Sequence, residues 1–232
     1  MIELAQLDTE PEACPYLPDR EARTRYRLVA DLLPVEYDEK LSQGWRRFGS
    51  ILFSPRCESC SECLSIRIPV ESFSPSKSQR RVLRKNRDLV LEVEDPKLDE
   101  ERLDLYTRHH ADRETRRGWP SAAMGFEEYY ETFCLNAVET LEFSYRLADR
   151  LVAVAYVGKA EASLNSIYAF TDPALSARSL GVYDVRCEIE EARRLAKSHL
   201  YLGYYVRGCK SMEYKASYRP HQILGSEGWQ EA

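Results

Sequence analysis

Several features that would classify a chain at once are missing here. No stretch approaches eighteen uninterrupted apolar residues, so no membrane-spanning helix is expected. Met1 to Pro11 is acidic and has no apolar centre, so it does not read as a secretory signal and the expected location is cytoplasmic. There is no Ser/His/Asp set, no HExxH, no P-loop and no glycine-rich dinucleotide loop, which removes the common hydrolase, metalloprotease, nucleotidase and dehydrogenase signatures. No repeat or low-complexity segment appears. One further absence is local. Between Ser76 and Arg87 there is no acid at all, although the chain as a whole carries a net charge of −5.

What is present fits a globular protein with a substantial core: 232 residues, 44% hydrophobic and 31% charged. Glu21 to Leu32 has helical spacing, with Tyr26, Val29 and Leu33 on one side. Arg67 to Val70 reads as a strand. Ser76, after Pro75, reads as the N-cap of a short helix through Arg87. Leu89 to Val93 alternates as a strand, and helices are expected over Asp99 to His110 and Phe126 to Ala137. Leu141 to Leu147 and Leu151 to Val157 form a hairpin over Asp149-Arg150. Ser163 to Phe170 is a further strand. Leu180 to Lys197 is a long helix with Val182, Val185, Ile189, Ala192 and Ala196 on one face, and Leu200 to Tyr204 is a short apolar strand of the kind buried at a sheet centre. The order predicts an α/β (α+β) chain with a GNAT-like acyltransferase fold, in which an antiparallel meander gives way to a parallel βα unit. Residues 1–75, rich in loops and cysteine, are expected to form a small N-terminal domain, and residues 76–232 the transferase domain.

Three constellations carry chemistry. The seven cysteines of a cytoplasmic chain are not read as a disulfide scaffold. Cys57, Cys60 and Cys63 stand at CxxC spacing, and with Cys14 as a fourth ligand they are candidates for zinc or an iron–sulfur cluster; reduced cysteines in a loop are the plain alternative. Trp45 precedes Arg46 and Arg47, adjacent guanidiniums suited to clamping a carboxylate or phosphate, against the alternative of two exposed surface arginines. The third is the acid-free helix. Lys77, Ser78, Arg80, Arg81, Arg84 and Lys85, with Arg87 beyond, suit the phosphates of RNA, and a solvated face would normally intersperse acids. A local positive face on an acidic body points to a specific anionic partner and away from bulk coating of DNA. His109 and His110 read as packing or capping residues. Tyr201-Leu202-Gly203-Tyr204-Tyr205, running into Gly208, leaves a central strand for a loop where such sheets bind ligand.

Taken together these residues resemble the bacterial aminoacyl-tRNA–protein transferases of the arginyl/leucyl-transferase family. The resemblance runs through most of the chain. It includes Cys14-Pro15-Tyr16-Leu17-Pro18, Gly44-Trp45-Arg46-Arg47, Cys57-x-x-Cys60, Ser76-Lys77-Ser78-Gln79-Arg80-Arg81, Tyr168-x-Phe170-x-Asp172-Pro173, Ser179-Leu180-Gly181, Tyr201-Leu202-Gly203-Tyr204 and Lys210-x-Met212-x-Tyr214-Lys215. The resemblance implies transfer of an amino acid, leucine in this bacterial branch and arginine in eukaryotic relatives, from charged tRNA to the α-amino group of proteins beginning with Asp or Glu. The product is marked for N-degron (N-end rule) degradation. The implied partners are charged tRNA and such proteins, with no membrane and no DNA. No cofactor is required, because the ester is already activated and aminolysis needs positioning above all. Trp45, Arg46 and Arg47 would bind the acidic N-terminus, and the basic helix would bind tRNA. Tyr168, Phe170, Ser179, Gly181 and Tyr214 would line the transfer site, with Asp172, Tyr204 and Lys215 as catalytic candidates. In place of a second cysteine of an N-terminal CxxC the chain has Leu17, while Cys63 is additional.

Two other readings compete. An acetyl-CoA-dependent GNAT N-acetyltransferase needs a glycine-rich pyrophosphate loop before the long helix, where this chain has Arg178-Ser179-Leu180-Gly181-Val182 with one glycine. A non-catalytic zinc- and RNA-binding module would account for the cysteines and the basic helix but not for the α/β half.

Overall fold

The computed structural model describes residues 1–121 and 123–232. The N-terminal part is β1 (Ile2–Asp8), a small hairpin β2 (Glu12–Ala13) and β3 (Glu21–Ala22), β4 (Thr24–Asp31), helix α1 (Pro34–Ser42), β5 (Arg46–Phe48) and β6 (Ile51–Pro55). Strands β1-β4-β6-β5 form a four-stranded antiparallel sheet. This corrects the helix expected over Glu21 to Leu32. The arginines of that segment decide it. On a strand they reach acids on neighbouring strands and loops, Arg25 to Asp8 at 2.6 Å, Arg27 to Glu3 at 3.3 Å and Arg23 to Glu58 at 2.8 Å. Cross-strand partners of this kind do not show in local spacing.

The remainder is β7 (Leu64–Pro69), α2 (Lys77–Lys85), β8 (Leu89–Glu94), α3 (Glu100–Arg117), α4 (Phe126–Tyr129), β9 (Thr140–Leu147), β10 (Arg150–Lys159), β11 (Ser163–Thr171), α5 (Leu180–Arg194), β12 (His199–Tyr205), α6 (Lys210–Glu213), β13 (Gln222–Gly225) and β14 (Gly228–Glu231). Eight strands build one mixed sheet, ordered β14-β13-β7-β12-β11-β10-β9-β8. The expected meander is present as β8 to β11, and β11–α5–β12 is the parallel unit. Strand β7, from before residue 76, pairs with both β12 and β13. Helix α3 runs further than expected and stops at Gly118, whose left-handed φ of 65° suits glycine. The helix expected over Phe126 to Ala137 is shorter: α4 passes into a π-turn (Tyr130–Cys134) and Leu135 is already extended. Capping is as the sequence predicts for α2, where Ser76 and Gln79 cap each other.

The sheet is covered on both faces. Leu180, Val185, Ile189 and Ala192 of α5 pack on Phe143, Ala155, Leu164 and Leu200. On the other side Leu105 and Tyr106 of α3, with Tyr129 and Phe133, pack on Leu151, Val154, Tyr156 and Phe170. No helix among the described residues is long and apolar enough to cross a membrane.

Candidate active site

Strands β11 and β12 pair over only three residues, Ser163–Asn165 with His199–Tyr201, although β11 continues to Thr171 and β12 to Tyr205. Each stays paired on its outer side, β11 to β10 and β12 to β7. The two parallel strands therefore diverge, and a cleft opens in the middle of the sheet. Both also slip register at its mouth: β11 between Ser166 and Tyr168, β12 between Tyr201 and Tyr204. Bulges of this sort free backbone groups and re-aim side chains beside functional sites. Ser166 to Ala169 are partly exposed despite lying on a central strand.

One wall of the cleft carries Gly203, whose φ of +83° places it in the region that favours glycine. Its carbonyl accepts from Arg46 Nη2 at 3.0 Å, and the Tyr204 carbonyl accepts from Lys215 Nζ at 2.7 Å. Lys215 comes from the single turn after α6 (Tyr214–Ser217) and is 8% exposed with no carboxylate partner among its bonds. Burial, helped by the Arg46 charge, pulls its ammonium down to about 8. Arg46 is likewise buried between the Tyr201 and Tyr204 rings, 5.4 and 5.3 Å from their centroids. It donates to the Trp45 carbonyl and the Ser65 hydroxyl, its Nε has no partner, and burial lowers its pKa. Two buried cations thus stand beside the cleft with no counter-charge among the described residues, an arrangement that costs stability and suits an anionic ligand or transition state.

Several expected site residues lie elsewhere. Arg46 and Arg47 do not form one clamp. They are consecutive on strand β5, so they point to opposite faces, and Arg47 is consumed by the Gly49 carbonyl (2.5 Å), Asn136 (2.6 Å) and Thr140 (2.6 Å) under the Tyr37 ring. Trp45 is buried in the N-terminal core against Arg27 and Arg56. Phe170 is fully buried in the aromatic cluster under α3 and lines no cleft. Tyr204 turns its hydroxyl away, donating to the Gly44 carbonyl at 2.8 Å, so its backbone and not its phenol faces Lys215. Asp172 caps the turn Pro173–Arg178 through the Ala174 N–H and is ion-paired to Arg150 and Arg108. Burial alone would raise its carboxyl, but that N–H and the two arginines outweigh it and hold it below the usual range. That makes Asp172 an anchor between β10, β11 and α3 and a weak base.

Tyr168 stands on the diverging part of β11, its hydroxyl 2.7 Å from His110 Nε2. His109 is buried and its Nδ1 accepts from the Thr171 N–H, 3.0 Å, so both histidines pack α3 on β11 as read from the sequence. Ser179 and Gly181 open α5 and line a cavity of about 210 Å³ with Arg113, Arg116 and Arg117 from the end of α3. Asp112 lines it too and pairs with Arg116 at 2.8 Å and Arg113 at 3.6 Å, so three arginines face one acid there. Lys77, Ser78, Arg80, Arg81, Arg84 and Lys85 are all exposed on α2. The end of α2 is tied to the approach to α5 through Asn86, which donates to the Arg178 carbonyl at 2.9 Å.

The thiols of Cys14, Cys57, Cys60 and Cys63 are half-buried and reduced, and burial first, then the other thiols, pushes Cys63 up to about 12. Among the described residues no group of three or more His, Cys, Asp or Glu side chains converges as a metal-ligand set.

This cleft, with two buried cations beside it, is an arrangement suited to an anionic group. The family profile described as arginine-tRNA-protein transferase, N terminus, matches residues 12–81, and its C-terminus counterpart matches residues 101–225. Aspartate/glutamate leucyltransferase of Campylobacter jejuni subsp. jejuni serotype O:6 is 36% identical over 228 residues, covering 97% of this chain and 94% of its own. The Pseudomonas fluorescens Pf0-1 protein of the same name is 36% identical over 238 residues, covering 99% and 98%. Among solved structures, FemX superposes with a TM-score of 0.48 at 9% identity over 76% of this chain and 61% of its own. L-PGS from Bacillus licheniformis gives 0.47 at 13% over 73% and 58%. The chain belongs to the arginine-tRNA-protein transferase family. It is an aminoacyltransferase that moves an amino acid from charged tRNA to protein.

Proposed function

We propose that the chain is a GNAT-like enzyme that transfers leucine from charged tRNA to the α-amino group of proteins beginning with Asp or Glu, in the cytoplasm, and so marks them for degradation. The observation that carries this reading is the divergence of β11 and β12 beside Arg46 and Lys215, two buried cations with no carboxylate of their own. The aminoacyl ester enters the cleft along β11. Arg46 supplies the counter-charge for the acceptor's acidic side chain, and Lys215 faces the oxyanion that develops on the ester carbonyl. The exposed cations of α2 and the arginine-lined cavity at the start of α5 hold phosphates of the acceptor arm. The acceptor amine has an ordinary pKa of about 7.7–8.0, so its neutral form is accessible near neutrality. The relatives named for leucine and for aspartate/glutamate support the donor and the acceptors.

The test is transfer of labelled leucine or arginine from its tRNA to peptides that differ only in the first residue. Leucine on Asp and Glu peptides, with Asn and Gln peptides unlabelled, is the expected result. Arginine transfer instead, or equal labelling of Gln and Glu peptides, overturns the donor or the acid recognition respectively. Arg46→Gln should cost at least about tenfold on acidic peptides and narrow the Glu-over-Gln preference, since a charge-assisted bond of about 1.5–3 kcal/mol is lost.

A further inference from the structure

Helix α5 carries two acids on the face packed against the sheet. Asp184 is 2% exposed and Glu188 is fully buried, one helical turn apart. Their hydrogen-bond partners among the described residues are hydroxyls: Tyr145 donates to Asp184 at 2.7 Å and Ser166 donates to Glu188 Oε1 at 3.0 Å. Glu188 Oε2 has no partner, and neither do Arg186 Nε and Nη1 nor the Tyr218 hydroxyl. Arg186, on the same helix, gives Nη2 to Glu190 at 2.6 Å. Buried carboxyls without a cation are expensive, and nothing in the packing of α5 on the sheet calls for them.

Their position gives them a use. Ser166 is the first residue of β11 beyond its ladder with β12, at the floor of the cleft and partly exposed. Its hydroxyl therefore links the cleft to Glu188. Tyr214, next to Lys215, is 50% exposed as a residue, but its hydroxyl end is pushed up to about 12 by loss of water first and then by Glu188 and Asp184.

Resting on the acceptor reading above, we propose that Ser166 and Glu188 form a proton path that leads from the attacking α-amine into the buried face of α5, with the neighbouring Asp184 carboxyl setting the proton affinity of Glu188. As the amine nitrogen bonds the ester carbonyl carbon, an N–H proton passes to Ser166 Oγ while the Ser166 proton passes to Glu188. The C–O bond to ribose breaks, the freed ribose oxygen takes a proton from solvent, and the acid pair afterwards returns its proton to solvent. Only Ser166 touches the amine; Glu188 and Asp184 act through it.

The electrostatics suit an acceptor that works near neutrality. Burial raises Asp184 to about 7, and burial with the Asp184 charge holds Glu188 well above the usual range. Two acids that interact this way lose their protons as a pair, so once the first proton has left the pair keeps one and can take a second, and Glu188 acts as the base in the form whose proton lies on Asp184. The groups that face it are Tyr145 from β9, Tyr183, Arg186 and Cys187 from α5 itself, and Tyr214 and Tyr218 from the segment after α6. Burial leads the upward shift of every one of these tyrosines and of Cys187, so none of them ionises in the range where the pair works.

The experiment is the pH profile of transfer at saturating charged tRNA and acidic-N-terminal peptide, for wild type, Glu188→Gln and Ser166→Ala. The quantity read is the wild-type to variant rate ratio, in which titration of every other group cancels. General-base loss predicts a ratio of about 10² for Glu188→Gln on a plateau above about pH 8, falling towards one below about pH 6, where the wild-type pair is already fully protonated, with KM for both substrates unchanged. Ser166→Ala should show the same pH shape at smaller amplitude, and it decides the matter if Glu188→Gln does not fold. Ratios that are flat with pH, or close to one, overturn the proton path while leaving the transferase reading intact. A wild type that labels no acidic peptide at any pH overturns the acceptor reading and the proton path with it.

Discussion

Replacing Lys215 by methionine should slow transfer by about 10²–10³-fold, the usual loss for one preorganised oxyanion donor, while leaving the fold at least as stable. The two effects have opposite directions for one reason. The Lys215 ammonium is buried against a backbone carbonyl and the Met212 sulfur, 2.7 and 3.3 Å away, with no carboxylate among its partners. A charge kept there destabilises the folded state, and an apolar residue of similar length relieves the cost. The stabilisation should also depend on pH. Because the folded value of about 8 lies below the ordinary 10.5, the unfolded chain binds more protons between them, and wild-type stability rises with pH through that window. In the variant this contribution to the rise disappears. Melting temperatures from pH 7 to 10, beside single-turnover rates, check both halves. A variant that transfers at the wild-type rate, or that melts well below wild type at pH 7, would remove Lys215 from the account.

Removing Arg102 alone should destabilise the protein by about 3–5 kcal/mol, the typical cost of stranding one member of a buried ion pair. For a chain of this size that is on the order of 10 °C in melting temperature. Arg102 and Glu142 are 4% and 2% exposed, and Arg102 meets one carboxylate oxygen through both Nε (2.8 Å) and Nη2 (2.5 Å). The other oxygen accepts from the Lys97 N–H at 3.0 Å and the Tyr156 hydroxyl at 3.3 Å. This pair pins α3 to β9 and, through Tyr156 and Tyr129, the π-turn after α4. Arg102→Leu leaves the Glu142 carboxylate buried without its cation. Arg102→Leu with Glu142→Leu removes both charges and should regain most of the loss, since a matched apolar pair is often neutral or better. Denaturant melts of the three proteins decide this; a double variant no more stable than Arg102→Leu would show that the pair itself, and not the stranded charge, sets the cost.

Where the sequence predicted structure well, local pattern and tertiary context agreed. The α2 capping box, the hairpin over Asp149-Arg150, the stripe of α5 and the all-apolar β12 each carry their partner or period within a few residues. Strand β4 was illegible because Arg25 and Arg27 find their acids on β1, at the far end of a loop. The arginine pair was read as one clamp because adjacency in sequence suggests adjacency in space, whereas the two-residue period of β5 sends Arg47 to the Tyr37 side. Glu188 had a signal that went unused. Val185, Glu188, Ile189 and Ala192 share the i, i+3, i+4, i+7 spacing of the buried stripe, so an acid stood inside an apolar face. The cleft has no sequence signature, because it depends on where two strands part.

The central claim is that transfer takes place where β11 and β12 diverge. The most direct measurement uses a stable amide analogue of leucyl-adenosine carrying a photoreactive group, bound to the full chain and mapped by mass spectrometry after crosslinking. Labelling is expected to be confined to Ser166–Ala169, Gly203–Tyr205 and the Tyr214–Lys215 turn, and to be competed away by charged tRNA. Competed labelling elsewhere, for instance on the N-terminal sheet or at Asp38 and His199 on the opposite end of the strands, would contradict it.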